Sequence, residues 1–157
     1  MAVTKDQIRE SYPLPVYNYR VEINDATIGF SQVSGLSIGY ETQTYKESQV
    51  AEGIAGPRVM YMPAQIKSAT VTLKKGIVGV NNVAIFFDWI NSIQTNQVEK
   101  KDIYVRLCNE AGEAIISWQV VNAFPTKLDA PSFDANSNEA AIETLELMAD
   151  RVLISAG

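Results

Sequence analysis

The strongest constraint on this sequence is a period of two. The stretch VYNYRVEIN, residues 16–24, alternates cleanly. Tyr17, Tyr19, Val21 and Ile23 point one way, and Asn18, Arg20, Glu22 and Asn24 point the other. Such a pattern cannot lay an apolar stripe along a helix, whose period is 3.6 residues; it fits a strand with one dry and one wet face. The stretch SATVTLKKG repeats it, with Ala69, Val71 and Leu73 inward and Thr70, Thr72 and Lys74 outward. Residues 100–124, KKDIYVRLCNEAGEAIISWQVVNAF, read as a hairpin. Ile103, Val105 and Leu107 form one inward set, NEAG is the turn, and Ile116, Trp118 and Val120 return. Between these lies TIGFSQVSGLSIGYETQTY, one or two strands after an Asn24-Asp25 turn. Gly29, Gly35 and Gly39 mark places where a sheet bends or bulges.

A period near 3.6 is clear only in NNVAIFFDWINSIQ, residues 81–94. Asn81 or Asn82 can cap this helix, and Val83, Phe86, Phe87, Ile90 and Ile93 form one apolar stripe. Asp88, Asn91 and Gln94 form its polar back. The segment EAAIETLELMADRVLI fits two periods at once. Ile142, Leu145, Ala149 and Val152 suit a helical stripe; Ala141, Glu143, Leu145 and Leu147 suit one face of a strand. Propensity favours helix there. Residues 1–12 read as a flexible head, with Pro13 and Pro15 stiffening the entry into the fold. Residues 46–67 show no sustained period and contain glycines and prolines, so they read as a long loop, of a length that usually has a function. The reading is a single domain over 1–157, mainly β, a barrel or sandwich with one helix packed on it.

Composition removes much of the usual chemistry. The 157 residues contain no histidine, so the commonest general base and metal ligand are missing. The one cysteine, Cys108, falls mid-strand as a buried thiol and allows no intrachain disulfide. A net charge of −5 argues against stable nucleic-acid binding; Lys74-Lys75 and Lys100-Lys101 are short basic pairs at element ends. The run DANSNE has calcium-loop spacing at Asp134, Asn136 and Asn138. It has Glu139 where such a loop needs glycine, and Leu145 where it needs a bidentate glutamate. No Ser-x-x-Lys or phosphate-loop motif is present, and GFSQV lacks the second glycine of a nucleophile elbow. No catalytic, cofactor or metal residue is assigned, and a structural or binding role is expected rather than an enzyme. The start lacks an apolar signal region and no run reaches the ~20 apolar residues of a membrane helix. The expectation is therefore synthesis in the bacterial cytoplasm, without membrane insertion of the monomer.

Several segments resemble the tube protein family of contractile phage tails. They are YPLPVYNYRVEI, FSQVSGLSIGYETQTYKE, VTLKKGIV and NAFPTKLDAPSFDANSNEAAIETLELMADRV, which together span nearly the whole chain. The likeness is greatest to the inner tube proteins of extracellular contractile injection systems, of the antifeeding-prophage and Photorhabdus virulence cassette type. The type VI secretion tube protein looks like a more distant relative. The resemblance implies a small β-barrel of two packed antiparallel sheets with one flanking helix, and makes AIETLEL a strand. It implies hexameric rings stacked into a tube around a channel, working with a contractile sheath, baseplate and tube-initiator proteins, and tube-terminating proteins. Cargo effectors would fill the lumen of a released extracellular or virion-like particle. On this reading Tyr45, Lys46, Ile54, Val59, Met60, Tyr61, Met62, Phe133 and Asp134 are expected at subunit or ring interfaces. Glu143 or Glu146 is expected to face the channel, and the helix stripe to pack the core. The alternatives are an initiator or adaptor ring at the baseplate, a stand-alone ligand-binding β-barrel, or an enzyme using carboxylates.

Overall fold

The chain spends its two-residue periods on ten strands among the described residues, with two short helices. This computed structural model describes residues 2–48, 50, 53, 55–77, 84–94 and 97–157, with backbone alone at 9 and 84. In order the elements are α1 (Lys5–Ser11), β1 (Tyr19–Ile23), β2 (Ala26–Ile28), β3 (Gln32–Ser34), β4 (Tyr40–Glu47), β5 (Arg58–Ile66), β6 (Ala69–Gly76), α2 (Ala84–Asn91), β7 (Lys101–Cys108), β8 (Ala114–Asp129), β9 (Ile142–Ala149) and β10 (Arg151–Ala156).

All pairings are antiparallel. The path runs β2-β1-β7-β8-β9-β6-β3, with β10 also on β8, and β4-β5 forms a separate two-stranded ribbon. The long β8 belongs to two sheets. Its first half lies between β7 and β10; its second half pairs with β9. The two halves fold face to face, so the mainly β, two-sheet expectation holds. The sheet is not closed as a barrel: β10 has no described strand on its outer edge.

The core is where the alternating faces meet. Val21 and Ile23 of β1, Val71 and Leu73 of β6, Ile103 and Val105 of β7, Val120 of β8, and Leu145 and Leu147 of β9 are all buried. Leu107 and Ile116, read as inward, are only half-buried because they lie at the turn end of the β7–β8 hairpin, and Tyr17 is exposed ahead of β1. The turns follow their chemistry. Asn24 and Asp25 take positive φ of 50 and 63 in the β1–β2 turn, as short Asx side chains allow. At the β7–β8 turn Asn109 Oδ1 accepts from the Ala111 and Glu113 N–H groups at 3.0 and 2.9 Å. Tyr19 donates its O–H to the Phe30 carbonyl, and burial raises its phenol above the ordinary 10.0. Its folded pKa being the higher one, its contribution to stability is complete below pH 10 and is lost as pH rises through that raised value.

Three expectations are corrected. The head is not featureless: α1 is closed by a Thr4–Gln7 capping box. The 46–67 loop is in large part a strand, since β5 pairs with β4 from Glu47↔Arg58 to Tyr40↔Ile66. No periodicity revealed it, because β5 buries neither face within this chain. The α2 stripe is also different. Phe86 and Trp89 are buried at 2% and 5%, Ile90 is half-buried, and Phe87 and Ile93 are exposed at 57% and 41%; Val83 lies outside the described residues. The helix is only two turns long and is anchored on one line. Phe86 stacks on Phe30 at 5.8 Å, and Trp89 Nε1 donates to the Glu99 carbonyl at 2.7 Å. The ambiguous C-terminal segment is strand. β6 and β8 flank β9 on both edges, so its backbone groups are paired while Leu145, Leu147 and Ala149 enter the core. That outweighs the few tenths of a kcal/mol per residue by which propensity favours helix.

Two substitutions check this arrangement by urea denaturation of the isolated subunit. Phe86→Ala should cost roughly 3–5 kcal/mol, whereas Phe87→Ala should stay within about 0.5 kcal/mol. Gly35 has φ +87, and a Cβ there would sit 2.1 Å from the Thr70 carbonyl oxygen. Gly35→Ala should therefore cost roughly 2–5 kcal/mol through combined backbone strain and overpacking.

Candidate assembly surface

Among the described residues no group of metal-ligating side chains gathers. Cys108 is buried, its Sγ 3.7 Å from the Arg106 carbonyl oxygen. Two concavities stand out among the described residues. One is an apolar groove of about 410 Å³ between the N-terminal arm and the β7–β8 turn, where Ile8, Tyr12, Leu14 and Ile115 meet. The other is a shallow polar dip beside Asp25, Lys101 and Asp102. Neither brings an acid, base and nucleophile together.

What the fold does present is an unsupported ribbon. The β4–β5 hairpin leaves the body where Lys67 N–H donates to the Gly39 carbonyl at 2.8 Å. It pairs with no other described strand. Gln43, Tyr45 and Glu47 share one face with Met62, Met60 and Arg58; Thr44 and Lys46 share the other with Tyr61 and Val59. Along the whole ribbon no side chain is buried, and Tyr61 is 78% exposed. Large apolar side chains thus stand on both faces, and an isolated two-stranded ribbon is marginal in water.

The residues expected at interfaces fall into two groups. Tyr45 and Lys46 lie on β4, and Val59, Met60, Tyr61 and Met62 on β5, so the hairpin gathers them; Ile54 lies outside the described residues. Phe133 and Asp134 sit elsewhere, in the connection from β8 to β9. That connection leaves near Asp129↔Thr144, while the hairpin root adjoins Ala69↔Ala149 at the far end of β9. The hairpin root and the start of that connection therefore lie at opposite ends of β9, on the order of 20 Å apart at 3.4 Å per residue. Phe133 is 85% exposed, and Asp134 folds its connection into a turn by accepting from the Asn136 N–H at 3.0 Å.

The two channel candidates lie on opposite faces of β9. Glu143 is in register with Lys75, on the side of Leu145 and Leu147. Lys75 itself is nearly buried, its Nζ 5.7 Å from the centre of the Phe86 ring. Glu146 points to the outer face, flanked by Thr72 of β6 and Lys127 of β8. Glu146 thus stands on the outer face and Glu143 on the inner one, and both are half-buried. The outer face of the other sheet is ordered by charge. Glu22 accepts from Arg20 Nε at 3.0 Å and Arg106 Nε at 3.1 Å. Arg106 also donates to Ser117 Oγ at 2.9 Å and lies over the Tyr104 ring.

One feature escaped sequence reading, the open edge of β10. Gly157 N–H donates to the Ile115 carbonyl, which fixes the ladder phase. By antiparallel alternation Arg151, Leu153 and Ser155 then bond to β8, and Val152, Ile154 and Ala156 direct their N–H and C=O groups outward. Leu153 and Ile154 are exposed. No local signal marks an edge, because being an edge depends on which strands pair.

The family model described as T4-like virus tail tube protein gp19 matches residues 15–152. Among solved structures, the chain is 46% identical to one in the extended-state sheath-tube complex of the PVC extracellular contractile injection system. That match covers 99% of this chain and 100% of the other, with a TM-score of 0.86. It is 44% identical to a chain of the anti-feeding prophage tube-terminating cap, covering 100% of both, with a TM-score of 0.84. Hcp1 from Flavobacterium johnsoniae shares the fold at 16% identity, with 90% of this chain and 97% of that one covered and a TM-score of 0.51. No protein of curated function matches.

Tyr61→Ser should leave the unfolding free energy of the isolated subunit, from urea denaturation, within about 0.5 kcal/mol of the parent. A larger loss would mean that the hairpin packs on its own body.

Proposed function

The chain belongs to the T4-like virus tail tube family, and from that premise we propose that it is the repeating subunit of the inner tube in a contractile phage-tail-like injection particle. In this reading six copies close a ring and rings stack into a hollow tube. A contracting sheath drives the tube through a target envelope, and cargo travels in its channel. The observation that carries the reading is the β4–β5 hairpin, with apolar side chains on both faces and no cover within its own chain.

The physical logic is that of a stiff conduit. A tube under axial load needs many repeated contacts, and a standard interface buries ~1,600 Å². The hairpin at one end of β9 and the Phe133 connection at the other supply two separated contact regions, as stacking requires. Tyr and Met, abundant on the hairpin, are favoured at interface cores. The lone cysteine is buried, so contacts between copies are non-covalent. Glu146, on an outward face with threonines and a lysine, suits a water-filled lumen, and an acidic chain gives a channel that does not retain anionic cargo. Sheath, baseplate and tube-terminating proteins are the partners, and the released extracellular particle is the place of action.

A second reading is favoured by the 44% identity to a chain of a tube-terminating cap structure. The protein would then form a single ring at a tube end, and copy number per purified particle separates the two. Negative-stain electron microscopy tests the main reading directly. The purified protein should form six-fold rings or hollow tubes, and Tyr61→Ser combined with Met62→Ser should abolish them while the subunit stays folded. Tubes of normal length from that double variant would remove the hairpin from the assembly.

A further inference from the structure

We infer that the strand completing the open edge of β10 is β4 of a second copy of this chain, added antiparallel with Arg151 opposite Glu47 and Leu153 opposite Tyr45. This rests on the tube-subunit reading and names the partner of its hairpin.

The argument begins with which edges can accept a strand. Edges invite pairing unless they are short or interrupted by proline. β2 and β3 are three residues each. The free edge of β5 contains Pro63, and the second half of β8 contains Pro125. β10 and β4 remain: six and eight residues, neither with a proline. Each has an edge with no described partner.

The two edges also match in chemistry. The proposed register sets Arg151 beside Glu47, whose other neighbour across the ribbon is Arg58. A carboxylate then stands between two guanidinium groups, and among the described residues Arg151 has no ion pair of its own. One position inward, Leu153 meets Tyr45, which already faces Met60, to give an apolar row across three strands. Val152, Ile154 and Ala156, whose backbone groups point outward, take the hydrogen-bonded positions opposite Lys46, Thr44 and Thr42. The contact joins different patches of two identical chains, which is the head-to-tail geometry that closes rings.

In this register Leu153 and Tyr45 form a non-hydrogen-bonded pair, close enough for a disulfide. Single variants Leu153→Cys and Tyr45→Cys, assembled together and oxidised, should give a covalent dimer that neither gives alone. Ile154→Pro removes one outward N–H and leaves the β8 ladder intact. It should block ring formation while near-ultraviolet circular dichroism stays that of a folded subunit. Rings that form normally in the mixture without cross-linking, or from folded Ile154→Pro, overturn the β10–β4 pairing and leave the tube reading standing. Parent protein that forms no ring, alone or with the other particle components, overturns both.

Discussion

The fold turns on a polar corner. β8 is a single strand that must serve two sheets, and it changes sheet at Asn122, whose φ is 54. Asx side chains tolerate this left-handed conformation better than most. Neighbours hold it in place. The Asn122 N–H donates to Asp102 Oδ1 at 2.9 Å, its Nδ2 donates to Asp150 Oδ2 at 2.9 Å, and the Asp150 N–H donates to the Val121 carbonyl at 3.0 Å. Asp150 is also the break between β9 and β10, so both members of the long ladder bend at one level. A flat sheet would leave one apolar face open to water. The bend brings Val120 and Val152 of one half against Leu145 and Leu147 of the other, all nearly inaccessible to solvent.

Once the corner is made, the rest of the chain divides into what the core uses and what it leaves over. The core takes one face of each body strand, plus Phe86 and Trp89 of α2. The hairpin and the β10 edge lie beyond it. Their apolar side chains and unpaired backbone groups add nothing to the stability of one chain and are a hazard to it in isolation. A protein that works as a single copy would be expected to cover such features. One that works as a polymer can keep them for its neighbours, in line with the tail-tube family to which this chain belongs.

Legibility followed from where each residue finds its partners. The strands of the body were readable because one face packs inside the same chain, so selection on burial wrote a period of two into them. The β7–β8 hairpin appeared with its turn. β5 did not appear, because Val59 and Tyr61 on one face and Met60 and Met62 on the other erase the alternation. In α2 the sequence offered a broad apolar stripe, but only the Phe86–Trp89 line meets the body, through Phe30 and the Glu99 carbonyl. The interface candidates on the hairpin were recognisable as an excess of apolar residues in a supposed loop, whereas Leu153 and Ile154 were hidden in a strand like any other. Glu143 and Glu146 could be put on opposite faces only once the segment was known to be a strand.

The sequence by itself determined the mainly β class, the inward faces of β1, β6 and β7, the turn residues and, by resemblance, the family. Those properties are local, or are set by side chains that all face one interior. The tertiary structure alone decided that β8 is shared between two sheets and that β4 and β10 are left with free edges. Each of these depends on pairing between residues distant in sequence, through backbone groups that every residue carries alike and that leave no mark in the order of side chains.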